Sequence, residues 1–234
     1  MTVEKNETPE MFTAIAGRYD LLNRVLSFGI DGSWRRRLVE MAGVSGHGRV
    51  LDVATGTADV AIEFAGRSDA ACVVGLDRSP GMLEEARRKL VRRRLGDRVF
   101  VVEGEALQLP FADGSFDVAT IAFGLRNLPD FEAGVREMAR VLGAGGRLLI
   151  LEFFPPQNNR LFSRLYRAYL RSVLPAAGRV ISGSDRAYDY LSTSIRQFAS
   201  REDCRGYMER AGLKGLRVVD LTGGVSSICF GVKP

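Results

Sequence analysis

Residues 49–61 read RVLDVATGTADVA, a short apolar run that breaks at a glycine turn and passes directly into helical spacing. Near-continuous apolar runs of this length suit strands buried on both faces, as in parallel sheets with crossover helices. The alternation repeats downstream. ADVAIEFAGR (58–67) is helical, and ACVVGLD (71–77) is a second apolar run that ends on an acid. SPGMLEEARRKLVRRRL (79–95) opens a helix with Ser79 as N-cap and Pro80 at the first helical position. RVFVVEGEA (98–106) and FDVATIAFG (116–124) are the third and fourth strands. PDFEAGVREMARVLG (129–143) is a helix capped by Asp130 and stopped at Gly143, and GRLLILEF (146–153) is the fifth strand. This order predicts an α/β fold, a doubly wound and mostly parallel sheet. After a helix at 201–213, LRVVDLT (216–222) and SSICFGV (226–232) are separated only by GGV. A turn that short permits only an antiparallel hairpin.

The 234 residues, 46% of them apolar, suffice for one domain over 1–234. Within it, 1–48 is helical and precedes the sheet, and 157–197 is helical and basic with no strand signal. No apolar run reaches the ~18 residues of a membrane span. The polar start MTVEKNETPEMF reads as neither signal nor transit peptide, and Cys72, Cys204 and Cys229 are scattered like reduced packing residues. A cytoplasmic protein is expected. The single histidine, His47, rules out a histidine metal cluster or triad, so no metal is expected. The net charge of +5 is concentrated, since 153–184 has no acid but contains Arg160, Arg164, Arg167, Arg171 and Arg179. RRKLVRRR (87–94) is a second basic run, partly balanced by Glu84 and Glu85. Such patches suit anionic partners.

Ligands of open α/β sheets bind at the carboxyl ends of the strands, near the topological switch point. Here that end offers Asp52, Gly56, Thr57 and Asp59. A dinucleotide fingerprint would need glycines where Ala58 and Ala61 stand, which disfavours a diphosphate cofactor. S-adenosylmethionine has the adenosine ribose without the diphosphate, and its amino-acid end could lie over Gly56. Asp77 would accept both ribose hydroxyls through its two oxygens. Glu105 and Ala106, closing the third strand, would reach the adenine. The alternative is that Gly56 is only a turn and Asp77 only a helix cap.

The pattern resembles the class I S-adenosylmethionine-dependent methyltransferase fold. It is similar in particular to the UbiE/MenG C-methyltransferases of quinone biosynthesis. Four stretches carry the likeness: RYDLLNRVLSFGIDGSWRRR (18–37), LDVATGTAD (51–59), AFGLRNLPDFEAGVREMARVLGAGGRLLILEFFPP (122–156) and YDYLSTSIRQF (188–198). The resemblance implies that Thr57, Asp77, Glu105, Ala106 and Ala122 contact the cofactor. Three positions depart from the family pattern. Ala58 replaces a common glycine, a mild change if its φ is negative. Glu105 stands where Asp or Asn is common, and Ala122 lacks the hydroxyl of the usual serine.

The loop AFGLRNLPD (122–130) bears on the methyl acceptor. Amine methylators commonly carry Asn/Asp-Pro-Pro-aromatic at this strand end, whereas this loop supplies the donors Arg126 and Asn127. Donors are wanted where oxygen becomes negative, and an aromatic carbon becomes nucleophilic once a ring hydroxyl ionises. Arg126 and Asn127 are therefore the candidate catalytic pair, beside Phe123 as a substrate contact. In the competing reading Arg126 pairs a structural acid and Asn127 caps the following helix. The family likeness also makes 18–29 a lid over the cofactor, with Tyr19 and Asn23 on one helical face toward the substrate. Trp34 reads as packing.

Arg160, Arg164, Arg167 and Arg171 step along one helical stripe, as a membrane-surface helix would. A quinol with a polyprenyl tail lives in the bilayer, so such a helix would dock the enzyme where its substrate is. The partners expected are a prenylated quinol and an anionic membrane surface. An RNA partner is rejected for want of the amine-binding loop and base-stacking aromatics. Monomer or homodimer is left open.

Overall fold

Arg49–Val53 is the central strand β1, and its Val50, Leu51 and Val53 are inaccessible to solvent. The computed structural model describes residues 8–27, 29–44, 48–68, 70, 72–154, 193–195 and 197–234. The basic segment expected over 157–197 falls almost wholly outside these residues, as does His47. Helices α1 (Thr8–Leu26) and α2 (Asp31–Ala42) precede the sheet. Then come α3 (Asp59–Arg67), β2 (Cys72–Asp77), α4 (Pro80–Arg93), β3 (Val99–Glu103), β4 (Phe116–Ala122), α5 (Phe131–Arg140) and β5 (Leu142–Glu152). The chain ends in α6 (Arg201–Arg210), β6 (Lys214–Leu221) and β7 (Ser226–Val232).

The strands form one seven-stranded sheet in the order β3-β2-β1-β4-β5-β7-β6. β1 to β5 are mutually parallel, and β7 runs antiparallel to both β5 and β6. The order reverses between β1 and β4, so their carboxyl ends open the crevice where such folds bind ligands. Core side chains lie on both faces of the sheet, Phe64, Val73 and Leu149 on one and Phe116, Met138 and Leu148 on the other. Trp34 is buried and its Nε1 donates to Thr222 Oγ1 at 2.9 Å, tying α2 to the β6–β7 connection.

The two expected helix caps form. Ser79 Oγ accepts from Met82 N at 3.3 Å and Asp130 Oδ1 from Ala133 N at 2.9 Å. Gly143 is not the stop of α5, however. The helix ends at Arg140, and β5 already includes Gly143. Lys233 supplies the cap from the far end of the chain, its ammonium donating to the carbonyls of Ala139, Arg140 and Leu142 at 2.9, 3.1 and 2.6 Å. A cation at a helix C-terminus satisfies orphan carbonyls and complements the dipole. β3 is also shorter than expected, leaving Glu105 in a turn bridged to Gln108.

Helix α1 lies against α4, with Thr13 Oγ1 and Ser79 Oγ 2.8 Å apart. Gly81 makes that approach possible. A Cβ there would stand 2.7 Å from Thr13 Cγ2 and 3.0 Å from its Cα. Gly81→Ala is expected to push α1 off α4, at a cost of about 1–3 kcal/mol for overpacking. The checks are a lowered melting temperature and faster proteolytic cleavage within α1.

Candidate functional site

The turn leaving β1 is wound through left-handed backbone at Ala54, Gly56 and Ala58, with φ of 53°, 56° and 66°. The condition under which Ala58 would be a mild substitution is therefore not met, because its Cβ sits in a conformation that disfavours side chains. Hydrogen bonds hold the turn. Asp77 Oδ2 accepts from Gly56 N at 2.8 Å, while Asp77 Oδ1 accepts from Ser79 N at 2.9 Å. A carboxylate has about four lone-pair sites, so these bonds leave Asp77 acceptor capacity for a further donor. Burial pushes the Asp77 pKa up, against the pull of the backbone N–H groups it accepts from.

Above this turn lies an open cleft that spans about 740 Å³, solvent-facing space included. It gathers most of the expected residues: Gly56 and Asp77 on one side, Glu105 and Ala106 at one end, and Ala122, Phe123 and Asn127 at the other. Tyr19 covers it from α1, its ring 3.9 Å from where a Gly56 Cβ would stand. Burial raises the Tyr19 pKa, and Asn23 hydrogen-bonds its side chain. The cleft fits S-adenosylmethionine. Gly56 leaves backbone open to a ligand, and Asp77 stands across from it with acceptor capacity for a ribose diol. Arg78, 3.3 Å from Glu105, adds a cation at the Glu105 end of the cleft.

Other expected residues occupy supporting places. Asp52 is 1% exposed beneath the turn, accepting from Thr55 Oγ1 at 2.7 Å and Thr120 Oγ1 at 2.8 Å. The Thr57 hydroxyl is already committed, donating to Asp20 Oδ1 at 2.6 Å and accepting from Lys89 Nζ at 3.0 Å. Asn23 is turned to Tyr19 and does not line the cleft. Ala122 lines the cleft with a methyl group where the family pattern has a hydroxyl.

Arg126 is the main correction. It is 5% exposed and does not line the cleft. Its Nη1 donates to Glu152 Oε1 at 2.5 Å and to Phe123 O at 2.6 Å. Arg126 thus pairs a structural acid, the reading that competed with the phenolate donor. Glu152 is inaccessible, and burial raises its pKa against the attraction of Arg126. Asn127 does not cap α5, since Asp130 does; its Nδ2 lies 3.4 Å from Phe123 O. The pair fixes the loop that carries Phe123, whose φ is 58° and whose ring stacks on Phe153 at 4.7 Å.

A polar knot that the sequence reading missed centres on Lys89, 9% exposed. Its ammonium donates to Asp20 Oδ2 at 2.7 Å and also to Asp59 and Thr57, joining α1, α3 and α4 behind the glycine turn. A signal was present. Lys89 falls in register with Met82, Leu83, Ala86 and Leu90, the buried face of α4, and is the only lysine in that basic run.

Two outcomes are expected from these buried charges. Arg126→Ala strands the Glu152 carboxylate and should cost about 3–5 kcal/mol, read as a melting temperature roughly 10 °C lower. Adding Glu152→Gln should restore most of that loss. The second concerns Asp52, whose pKa burial raises from 3.8 to about 6. The folded state then holds the proton more tightly, so this stability is complete below the unfolded pKa and is lost as pH rises through about 6. Urea unfolding should show wild type losing on the order of 2–3 kcal/mol relative to Asp52→Asn between pH 4 and pH 7.

The geometry has counterparts among known proteins. The model of the ubiE/COQ5 methyltransferase family matches residues 1–233. A Geobacter protein named Ubiquinone/menaquinone biosynthesis C-methyltransferase UbiE is 47% identical over 95% of this chain and 94% of its own. The Demethylmenaquinone methyltransferase of Thermus thermophilus is 48% identical over 96% of this chain and its whole length. Among solved structures, a SAM dependent methyltransferase from Aquifex aeolicus superposes with a TM-score of 0.62 at 18% identity, over 86% of this chain and 89% of its own. The [4+2]-cyclase SpnF reaches 0.74 at 17% identity over 100% and 97%. At those identities the structures attest the fold alone.

Proposed function

The chain belongs to the ubiE/COQ5 methyltransferase family, with S-adenosylmethionine as methyl donor, and we propose that it methylates a ring carbon of a reduced prenylated quinol, converting demethylmenaquinol to menaquinol. The observation that carries this reading is the contrast between the two sides of the cleft. Gly56 and Asp77 offer backbone and carboxylate acceptors on one side, while Phe123 and the Asn127 amide stand on the other. The first side suits a nucleoside, and the second suits an aromatic ring bearing an oxygen. The name of the Thermus relative supports a naphthoquinol over a benzoquinol.

When bound, S-adenosylmethionine supplies an electrophilic methyl on its sulfonium. Asp77 would take the ribose hydroxyls, and Glu105 with the Ala106 backbone would meet the adenine. Asn127 donates to the ring oxygen as it becomes a phenolate, the charge that makes the neighbouring carbon nucleophilic. Phe123 and Tyr19 wall the ring and exclude water, holding the carbon within the ~3–3.5 Å a near-attack arrangement needs. Methyl transfer would form a carbon–carbon bond as the carbon–sulfur bond breaks, with the displaced ring proton passing to solvent. Arg126, neutralised by Glu152, acts from behind by setting the Phe123–Asn127 turn. The positive charge that the sequence concentrates in Arg160, Arg164, Arg167 and Arg171, outside the described residues, draws the enzyme to the anionic membrane surface where the prenylated substrate resides.

Methyl transfer to short-chain demethylmenaquinone is the test, with the quinone reduced or oxidised and a methoxy-benzoquinol alongside. Only the reduced naphthoquinol should be methylated efficiently, because an oxidised quinone has no ring hydroxyl to ionise. No transfer to any quinol would refute the reading. Asn127→Ala should lower kcat by about 100- to 1,000-fold while leaving cofactor affinity in place.

A further inference from the structure

Past Gly56 the cleft runs on into a second, smaller recess that is open to solvent. The two spaces share Tyr19, Ala54, Gly56, Ala122 and Phe123, so the recess is an extension of the cleft. A ligand with its ribose at Asp77 and its adenine toward Glu105 has one direction left in which to continue, across the Gly56 backbone and into this space. The groups waiting there are of mixed sign: the carboxylates of Asp52 and Asp59 and the guanidinium of Arg35.

Arg35 is the one cation among the recess-lining residues. Its side chain is 11% exposed, and its Nη1 lies 2.5 Å from Asp31 Oδ2 and 3.5 Å from Asp59 Oδ2. Those two acids fix the guanidinium without exhausting it. Its Nε and Nη2 form no hydrogen bond to any described residue. A guanidinium held in place with donors to spare is preorganised for a carboxylate, whose two oxygens match its fork. Nothing else lining the recess could take an anion by charge.

We propose that this recess receives the amino-acid end of S-adenosylmethionine and that Arg35 clamps its carboxylate. Asp52 and Asp59, on the floor and rim, complement the ammonium and the sulfonium of the same ligand. The mixed lining thus answers a ligand that is itself of mixed charge. The assignment adds Arg35, on α2, to a site that Tyr19 of α1 already covers.

Calorimetric binding of two ligands tests it. S-adenosylhomocysteine carries the amino-acid end; 5′-methylthioadenosine keeps the adenosine and the sulfur but lacks that end. Arg35→Gln should weaken S-adenosylhomocysteine by about 10- to 100-fold, the range of a charged hydrogen bond. Methylthioadenosine affinity should stay within about twofold in the same variant, since adenosine contacts do not involve Arg35. Arg35→Lys keeps the charge beside Asp31 and Asp59 without the fork, and should show a smaller loss confined to S-adenosylhomocysteine. It carries the comparison alone if the glutamine variant does not fold. Equal loss for both ligands would make Arg35 a purely structural residue, and no loss for either would place the carboxylate elsewhere; both outcomes overturn the proposal. No quinol enters the measurement, so its result is independent of the acceptor reading.

Discussion

The hydrogen bond from Gly56 N–H to the Asp77 carboxylate, 2.8 Å long, joins the turn after β1 to the end of β2. The site depends on that link. The turn holds two alanines in left-handed backbone, a conformation that costs an L-residue roughly 1–2 kcal/mol. Such strain persists only where the surroundings over-determine it. Here Thr55 N donates to Leu76 O at 3.0 Å, Ala58 N to Thr55 O at 2.9 Å, and the Thr55 hydroxyl to Asp52. Wound this way, the turn presents Gly56 backbone to the cleft and points Asp77 across it. One carboxylate therefore shapes the site and remains available to a ligand.

Much of this architecture was legible in the sequence because it is local. Apolar runs gave the strands and their burial, and Ser79 and Asp130 marked helix starts through bonds that span three residues. The Gly56–Asp77 placement followed from topology alone, since parallel neighbours bring their carboxyl ends together. What failed was long-range. Gly143 looked like a helix stop, but the cap is Lys233, donating to a carbonyl 91 residues away in sequence. The Lys89 knot spans 69 residues to Asp20 and hid inside a run of charge that reads as solvated. Only its register with Leu83, Ala86 and Leu90 on α4 marked it out. Arg126 was misjudged for the same reason. Nothing near it in sequence announces that the acid on the neighbouring strand, Glu152, is buried and in need of a cation.

The polar groups sort by depth. Nearest the cleft are acceptors with remaining capacity, Asp77 and Glu105. Beneath them lie groups whose bonds are internal: Asp52 with two threonines, Thr57 with Asp20 and Lys89, and Arg126 with Glu152. α1 belongs to both layers, since Tyr19 covers the cleft while Asp20, the next residue, is anchored by Lys89. One turn of helix thus links the cover of the cleft to a salt bridge behind it.

The buried Arg126–Glu152 pair explains why the acceptor wall stands where it does. Buried ion pairs contribute little net stability, because desolvation offsets most of their attraction. Their better-attested value is specificity, and the geometry here has that character. The Arg126 guanidinium donates to Glu152 on β5 and at the same time to the Phe123 carbonyl, three residues back in its own turn. That double engagement favours a left-handed Phe123, whose ring is then directed onto Phe153 and the edge of the cleft. An apolar pair of equal volume would fill the space without dictating the turn. The arginine that the sequence suggested as a donor to substrate instead sets the backbone from which Phe123 and Asn127 face the cleft.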